Sequence, residues 1–429
     1  MDTIYALATA SGKAGVAVMR LSGPDAVKVA EQLVGPLCVP GRNLRQIVDQ
    51  AGRVIDEALV LSFAEGRSFT GEQVVEFHLH GSRAVIAAMF VVFGATPGLR
   101  LAEAGEFTRR AFENGRLDFS QVEGLADLVD AETEGQRRQA QHILTGALAK
   151  RTEDWRQKLL RATALVEATI DFAEEDVPVN VWPEVRVLLS SVSNDLRQES
   201  AGVLVAERLR DGFEVAIVGT PNVGKSTLLN YLAGRDAAIT SEIAGTTRDV
   251  IEVRMDIDGL PVTFLDTAGL RDAEDQVEQI GIARAIQRAQ AADLRVHMVL
   301  AGEAPVLEVS AGDIVVMSKA DLNDRAFQGH GVSGTTGIGV ALLVEAIAEV
   351  LKQRVAGIGL AVRERHRVAM VQAIDHLDSA LILVGAGPVQ AELVAQELGL
   401  SVRVLDSLVG RMDVEEVLGE IFSRFCIGK

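Results

Sequence analysis

Cysteine is nearly absent: Cys38 and Cys426 are the only two in 429 residues. A disulfide framework and a thiolate zinc centre are thereby excluded, which fits a reducing compartment. Also missing is any apolar run long enough to span a bilayer, although apolar residues make up 48% of the chain. The opening Met1-Asp2-Thr3-Ile4-Tyr5 lacks the basic and then apolar pattern of an export signal, so a cytoplasmic protein without membrane association is expected. Positive charge is scarce as well, and a net charge of −18 argues against non-specific coating of nucleic acid. Residues 1–118 carry 12 Lys and Arg against 13 Asp and Glu, so the acidic excess lies in the rest of the chain. RNA contact would fall to small basic islands: Arg109-Arg110, Lys150-Arg151 with Arg156 and Lys158, or Arg363 to Arg367. Each island reads equally as a solvated helix face.

The length suggests roughly three domains. Residues 1–118 mix strand-patterned runs (Gly15 to Leu21, Val54 to Phe63, Val74 to His80) with helical stretches near Pro24 to Val34 and Ser82 to Phe93, the pattern of an α+β domain. Helix-period sequence fills 119–210, broken by the acidic, proline-closed stretch from Phe172 to Pro178, a helix stop rather than a metal site. Strand and turn patterns occupy 211–356, and helical periodicity returns over 357–429. The expected fold is therefore multidomain, α/β plus α: an N-terminal α+β domain, a helical domain, and an α/β nucleotide domain inserted between its two halves. No internal repeat or low-complexity segment is present.

What fixes the inserted domain's chemistry is Gly219-Thr220-Pro221-Asn222-Val223-Gly224-Lys225-Ser226, directly after the apolar strand Phe213 to Val218. Its glycines let backbone N–H groups converge on phosphate, Lys225 reaches the β- and γ-phosphates, and the Ser226 hydroxyl is placed for Mg²⁺. Thr227 opens a helix whose positive end faces the same phosphates. Asp266-Thr267-Ala268-Gly269 ends a second strand, Val262 to Leu265; its carboxylate can hold the metal's second shell and a glycine N–H can sense the γ-phosphate. Between them Gly245-Thr246-Thr247 offers a threonine to complete the Mg²⁺ shell. Ser318-Lys319-Ala320-Asp321 follows a third strand, Asp313 to Met317, and a carboxylate there accepts the N1–H and 2-amino donors of guanine, which adenine lacks. Four motifs in this order, each at a strand end, point to a Ras-like P-loop GTPase domain.

Beyond these motifs, the chain resembles the MnmE (TrmE) family of tRNA-modifying GTPases over essentially its whole length. The likeness is carried by Asp2-Thr3-Ile4, Gly15 to Gly23, Phe69-Thr70-Gly71-Glu72 with Glu76 and His80-Gly81, Gly105-Glu106-Phe107-Thr108 with Arg110-Ala111-Phe112, and the terminal Phe425-Cys426-Ile427-Gly428-Lys429. The resemblance implies a homodimer that works with a flavoprotein, MnmG (GidA), which alone carries FAD. Together they place an aminomethyl-type group on C5 of the wobble uridine of certain tRNAs. It further implies a pocket for 5,10-methylenetetrahydrofolate or 5-formyltetrahydrofolate at Arg20, Glu76, Arg116 and Lys429, where the family more often has lysine in place of Arg116.

For hydrolysis the resemblance implies Glu278 as the catalytic residue, because Leu270 stands where Ras-like enzymes keep a water-orienting glutamine. It implies Mg²⁺ at Ser226 and Thr247, and K⁺ at Asn222, Ser241, Ile243 and Thr246, its charge replacing an arginine finger. Glu242 and Ala244 complete the loop expected at the nucleotide. Ser318 replaces the usual asparagine, which predicts a shortened brace to the base with guanine specificity kept by Lys319 and Asp321. Ser333 and Gly334 stand in the turn that backs the guanine carbonyl. His78 and His80 share a strand face but lack a third metal ligand, and Cys426 is read either as structural or as near the chemistry. A ribosome-assembly or signalling GTPase with RNA-binding helical arms is the alternative reading, disfavoured by the N-terminal and C-terminal signatures.

Overall fold

A computed structural model describes residues 2–171, 180–235, 238–239, 252–266, 287–322, 330–386, 390–410, 422, 425 and 427–428. The chain forms two compact units, one of Met1–Ala126, Leu144–Thr152 and Asp406–Lys429, the other of Asp127–Ile143 and Glu153–Leu405.

In the first unit, strands β1 (Thr3–Leu7), β2 (Val16–Ser22), β3 (Gly41–Val48), β4 (Val54–Phe63), β5 (Val74–His80) and β6 (Leu99–Leu101) form one sheet in the order β3-β4-β5-β2-β1-β6. Neighbours are antiparallel except β1 and β6. Alternation along the strands divides the two faces. Tyr5, Met19, Leu21, Phe77 and Leu79 pack against helices α1 (Ala26–Val34) and α2 (Arg83–Gly94), while Ile4 and Ala6 pack with Phe107 of α3 (Glu106–Glu113). Ser82 caps α2 by accepting from the Val85 amide at 3.1 Å. Arg20 and Glu76 share the α3 side, since they alternate with Met19, Leu21 and Phe77.

Arg110, only 5% exposed at its side chain, lies in an ion network beneath that face. Its guanidinium donates to both Glu72 oxygens at 3.0 Å, to Asp2 Oδ1 at 3.0 Å and to Glu106 Oε1 at 3.2 Å. Arg100 joins from β6, reaching Asp2 and Glu106. Ser22 Oγ donates to Glu72 Oε2 at 2.6 Å and meets Thr70, so the network fixes the Phe69-to-Glu72 loop.

The second unit combines helices and a sheet. Helices α5 (Glu134–Leu144), α6 (Ala147–Asp171) and α7 (Trp182–Asp211) follow α4 (Phe119–Asp130). Trp155 of α6 is fully buried, with its indole N–H 3.4 Å from Asp195 of α7. Strands β7 (Phe213–Gly219), β8 (Glu252–Ile257), β9 (Leu260–Asp266), β10 (Leu294–Val299), β11 (Ile314–Ser318) and β12 (His330–Val332) lie in the order β12-β11-β10-β7-β9-β8, parallel except for the β8 edge. Helix α8 (Lys225–Ala233) follows β7, and α9 (Val340–Val355), α10 (Glu364–Ala386) and α11 (Ala391–Leu408) come after the sheet. The chain leaves β7 for β9 on one side and then crosses to β10 on the other. That switch point opens a crevice at the carboxyl end of β7. Among the described residues α10 alone is long and apolar enough to cross a membrane, with a mean hydropathy of 1.4, yet Asp378 on it accepts from Ser193 and Arg197 of α7.

Replacing Arg110 leaves Glu72 without its cation and Glu106 with Arg100 as its remaining hydrogen-bonded cation. Arg110→Met should destabilise the first unit by about 3–5 kcal/mol, read as lost hydrogen-exchange protection in β2 and α3. Burial pushes the Glu106 carboxyl upward, but bonds from Arg100, the Glu103 amide and Arg110 outweigh it and hold it below the usual glutamate range. With the folded value depressed, this stabilisation is complete above the unfolded carboxylate pKa of about 4.3 and is lost as pH falls through the folded value. Protection in β2 and α3 that stays constant through that acid range would contradict the network's role.

Candidate functional site

At the end of β7 the backbone turns through Asn222, whose φ of 59° lies in the left-handed region, and enters α8 at Gly224. Lys225 is 6% exposed, and its ammonium donates to the carbonyls of Gly219 at 2.7 Å and Thr220 at 3.1 Å, arched over the loop. Burial pushes this amine below the usual lysine range, and the nearby Asp266 charge opposes the shift. Pairing of Ile217 with Asp266 across β7 and β9 brings the Asp266 carboxylate to the loop. Ser226 Oγ donates to Asp266 Oδ2 at 2.8 Å. Asp266 Oδ1 is buried and has no hydrogen-bond partner among the described residues. A hydroxyl, a carboxylate with one oxygen unspent, and an ammonium thus converge where the sequence placed Mg²⁺ and phosphate. Thr227 follows on the same helix, exposed to solvent.

The base side lies two strands away from β7, across β10. Ser318, the last residue of β11, is 3% exposed and its hydroxyl donates to the Val223 carbonyl inside the phosphate loop. That contact ties the last residue of β11 to the loop. Lys319 follows with φ of 55°, and Asp321 sits exposed in a short 3₁₀ turn, Ala320–Leu322. Ser333 is 2% exposed, its Oγ accepting from the amides of Thr335 and Thr336, and Gly334 packs on the backbone of Thr227 and Leu228. The turn expected to back the base is therefore fastened to the first turn of α8.

A second constellation lies in the first unit. Arg20 and Glu76 are register partners on β2 and β5, joined Nε to Oε1 at 2.8 Å. The Arg20 guanidinium lies 5.8 Å from the Phe69 ring centre and 5.5 Å from that of Phe107, within cation–π range. Arg20 Nη1 lies 3.5 Å from the Gly428 carbonyl, and Ile427 bridges to Ala104, so the end of the chain reaches the same face. A side chain at residue 428 would meet the Leu7 carbonyl at 2.2 Å, which accounts for glycine there. Arg116 is exposed, its side-chain carbons about a van der Waals contact from where a Cβ on Gly71 would stand. Sequence reasoning missed Phe69 and Phe107 as the rings beside Arg20; the signal available was an aromatic in each of the two motifs that meet there.

Both family comparisons point the same way. The MnmE helical domain matches residues 119–426, and the GTP-binding protein TrmE N-terminus matches residues 3–116. The tRNA modification GTPase MnmE of Roseobacter denitrificans is 59% identical over 430 residues, covering 100% of both chains. That of Cereibacter sphaeroides is 60% identical over 434 residues, again covering 100% of both. The chain belongs to the MnmE family. Its enzyme class follows: it is a tRNA modification GTPase, a hydrolase acting on GTP. A solved Era structure from Aquifex aeolicus is 29% identical over 32% of this chain and 56% of its own, with a TM-score of 0.27; the family assignment rests on the full-length relatives.

Several sequence-predicted residues lie outside the described residues: Ser241 to Thr247, Thr267, Ala268, Gly269, Glu278, Cys426 and Lys429, together with the whole acidic stretch from Phe172 to Pro178. His78 turns to Glu76 at 3.4 Å and His80 to Asp56 at 2.8 Å, and no group of three metal-capable side chains occurs among the described residues. The basic islands are largely spent internally. Arg110 is buried rather than solvated, Arg109 meets Glu103, Arg363 meets Asp127 at 2.6 Å and Arg367 meets Glu364.

Ser318→Ala would leave the Val223 carbonyl buried without its donor, so GDP affinity should fall about tenfold. Because the loop and not the base loses support, the same factor is expected for 7-deaza-GDP, whose base lacks the N7 acceptor. Calorimetry on both nucleotides checks this, and a loss confined to GDP would return Ser318 to the base.

Proposed function

We propose that this enzyme is a K⁺-dependent GTP hydrolase that acts with the flavoprotein MnmG to install an aminomethyl-type group on C5 of the tRNA wobble uridine, using a folate one-carbon unit. The observation that carries the hydrolytic half is the Ser226–Asp266 contact at 2.8 Å beside the arched Lys225 ammonium, with Asp266 Oδ1 unspent. A buried carboxylate oxygen without a partner suits an outer-sphere role toward Mg²⁺, which Ser226 and Thr247 would hold. When bound, Mg²⁺ neutralises charge on the β- and γ-phosphates.

The remaining hydrolytic roles fall to this chain's own residues. Backbone N–H groups of the loop orient the phosphates, Lys225 adds positive charge, and Asp321 selects guanine by accepting its two donors. Asn222, Ser241 and Thr246 with the Ile243 carbonyl form an all-oxygen neutral donor set, which fits K⁺, and Asn222 stands exposed in the loop that would hold it. Glu278 orients the attacking water and holds its proton, the task Leu270 cannot perform.

The folate half is supported by the Arg20–Glu76 pair against Phe69 and Phe107. A carboxylate matches the amide-like donor edge of a pterin, the rings offer flat surfaces for it, and the exposed Arg116 with Lys429 suits the glutamyl tail. The residues present fit the ligand. FAD belongs to MnmG, tRNA is the substrate of the joint enzyme, and the chain works as a homodimer in the cytoplasm.

Exchange of K⁺ for Na⁺ tests the hydrolytic reading on the full chain. GTP turnover should fall at least about tenfold in Na⁺, while GDP affinity changes little, because the cation acts on charge that develops during hydrolysis. Equal turnover in the two salts would contradict the Asn222 assignment.

A further inference from the structure

Strands β8 and β9 are joined by the two-residue turn Asp258-Gly259, both residues at positive φ, the sequence favoured for a tight hairpin. Residues 240–251, with the threonines expected at Mg²⁺, lead directly into this hairpin, and the Asp266 motif with residues 267–286 leaves it. No other element of the sheet is bounded at both ends by nucleotide-sensing sequence. Its tip does not end in solvent. The Gly259 carbonyl accepts from the Gly135 amide at 2.9 Å, and Arg254 meets Glu132 at 3.4 Å.

Gly135 lies in the first turn of α5, where amides have no partner within the helix. Thr133 and Gln136 form a reciprocal capping box there: Thr133 Oγ1 accepts from the Gln136 amide, and Gln136 Oε1 accepts from the amides of Glu132 and Thr133. The amide of Gly135, in the same turn, is satisfied by the hairpin. Gln136 also donates through Nε2 to the Arg210 carbonyl at 2.7 Å, in the last turn of α7, one residue pair before β7 begins. The approach is so close that a Cβ on Gly135 would meet the Gly259 carbonyl at 2.4 Å.

We propose that Gly259 and Gly135 form the joint through which nucleotide state reaches the helical domain, a non-covalent connection beside the two points where the chain enters and leaves the GTPase domain. The inference rests on the functional reading above. A shift of the hairpin along its own axis, driven from either end, changes the cap of α5 and through Gln136 the end of α7. Gly135 and Gly259 touch neither nucleotide nor folate and act as positioning residues.

Gly135→Ala is the decisive variant, because alanine favours a helix interior over glycine and any loss must come from the contact. In the full chain with MnmG, GTP hydrolysis should stay within about twofold while tRNA modification falls about tenfold. Hydrogen exchange at residues 132–140 of the unaltered protein should differ between GDP and guanylyl imidodiphosphate, and the difference should vanish in Gly135→Ala. Equal exchange in the two nucleotides, or normal modification by the variant, would overturn the joint. If the unaltered complex modifies no tRNA, the functional reading fails, and the exchange comparison still decides the joint by itself.

Discussion

A phosphate-binding loop is bare backbone, and bare backbone does not hold a shape by itself. In this protein the loop is pinned from strands on either side of it: Asp266 at the end of β9 takes the Ser226 hydroxyl, and Ser318 at the end of β11 gives its hydroxyl to the Val223 carbonyl. Lys225 closes the arch from within by donating to Gly219 and Thr220. Among the described residues, the register of the parallel sheet brings Asp266 to that loop. The serine in the guanine motif makes the contact that ties this loop to β11.

Charge is used in a similar way. The chain is strongly acidic, yet most arginines among the described residues are committed to carboxylates of its own, as Arg363 is to Asp127 and Arg367 to Glu364. The Arg110 network is the densest case, and it supports the loop that brings Phe69 over Arg20. Exposed pairs such as Arg367 with Glu364 contribute little in water. Those near the pocket fix positions, since breaking one would strand a buried carboxylate.

Much of this was legible in the sequence, and the exceptions have physical reasons. Strands β4 and β5 occupy the residues that alternation assigned, and Ser82 caps α2 as its type suggests. Strand β1 was not read because four of its five residues are buried on both faces, which removes alternation. Strand β3 is an exposed, largely polar edge. Helix α3 buries Glu106 and Arg110, so it looks like surface although it is core. Of the site, the phosphate and guanine motifs were plain because their spacing is fixed by phosphate and base. The meeting of the chain's end with Arg20 was not, because contact across about 400 residues leaves no local pattern.

On the function proposed above, GTP hydrolysis moves a modification site whose bond-forming chemistry belongs to folate and to the partner's flavin. The measurement that bears on it most directly is the amount of modified wobble uridine formed by the complex reconstituted with Glu278→Ala, a variant that keeps Lys225, Ser226 and the folate residues. The account predicts retained GTP binding and docking of MnmG, turnover of GTP lowered about a hundredfold, and almost no modified uridine. Full modification at the normal rate without hydrolysis would contradict it.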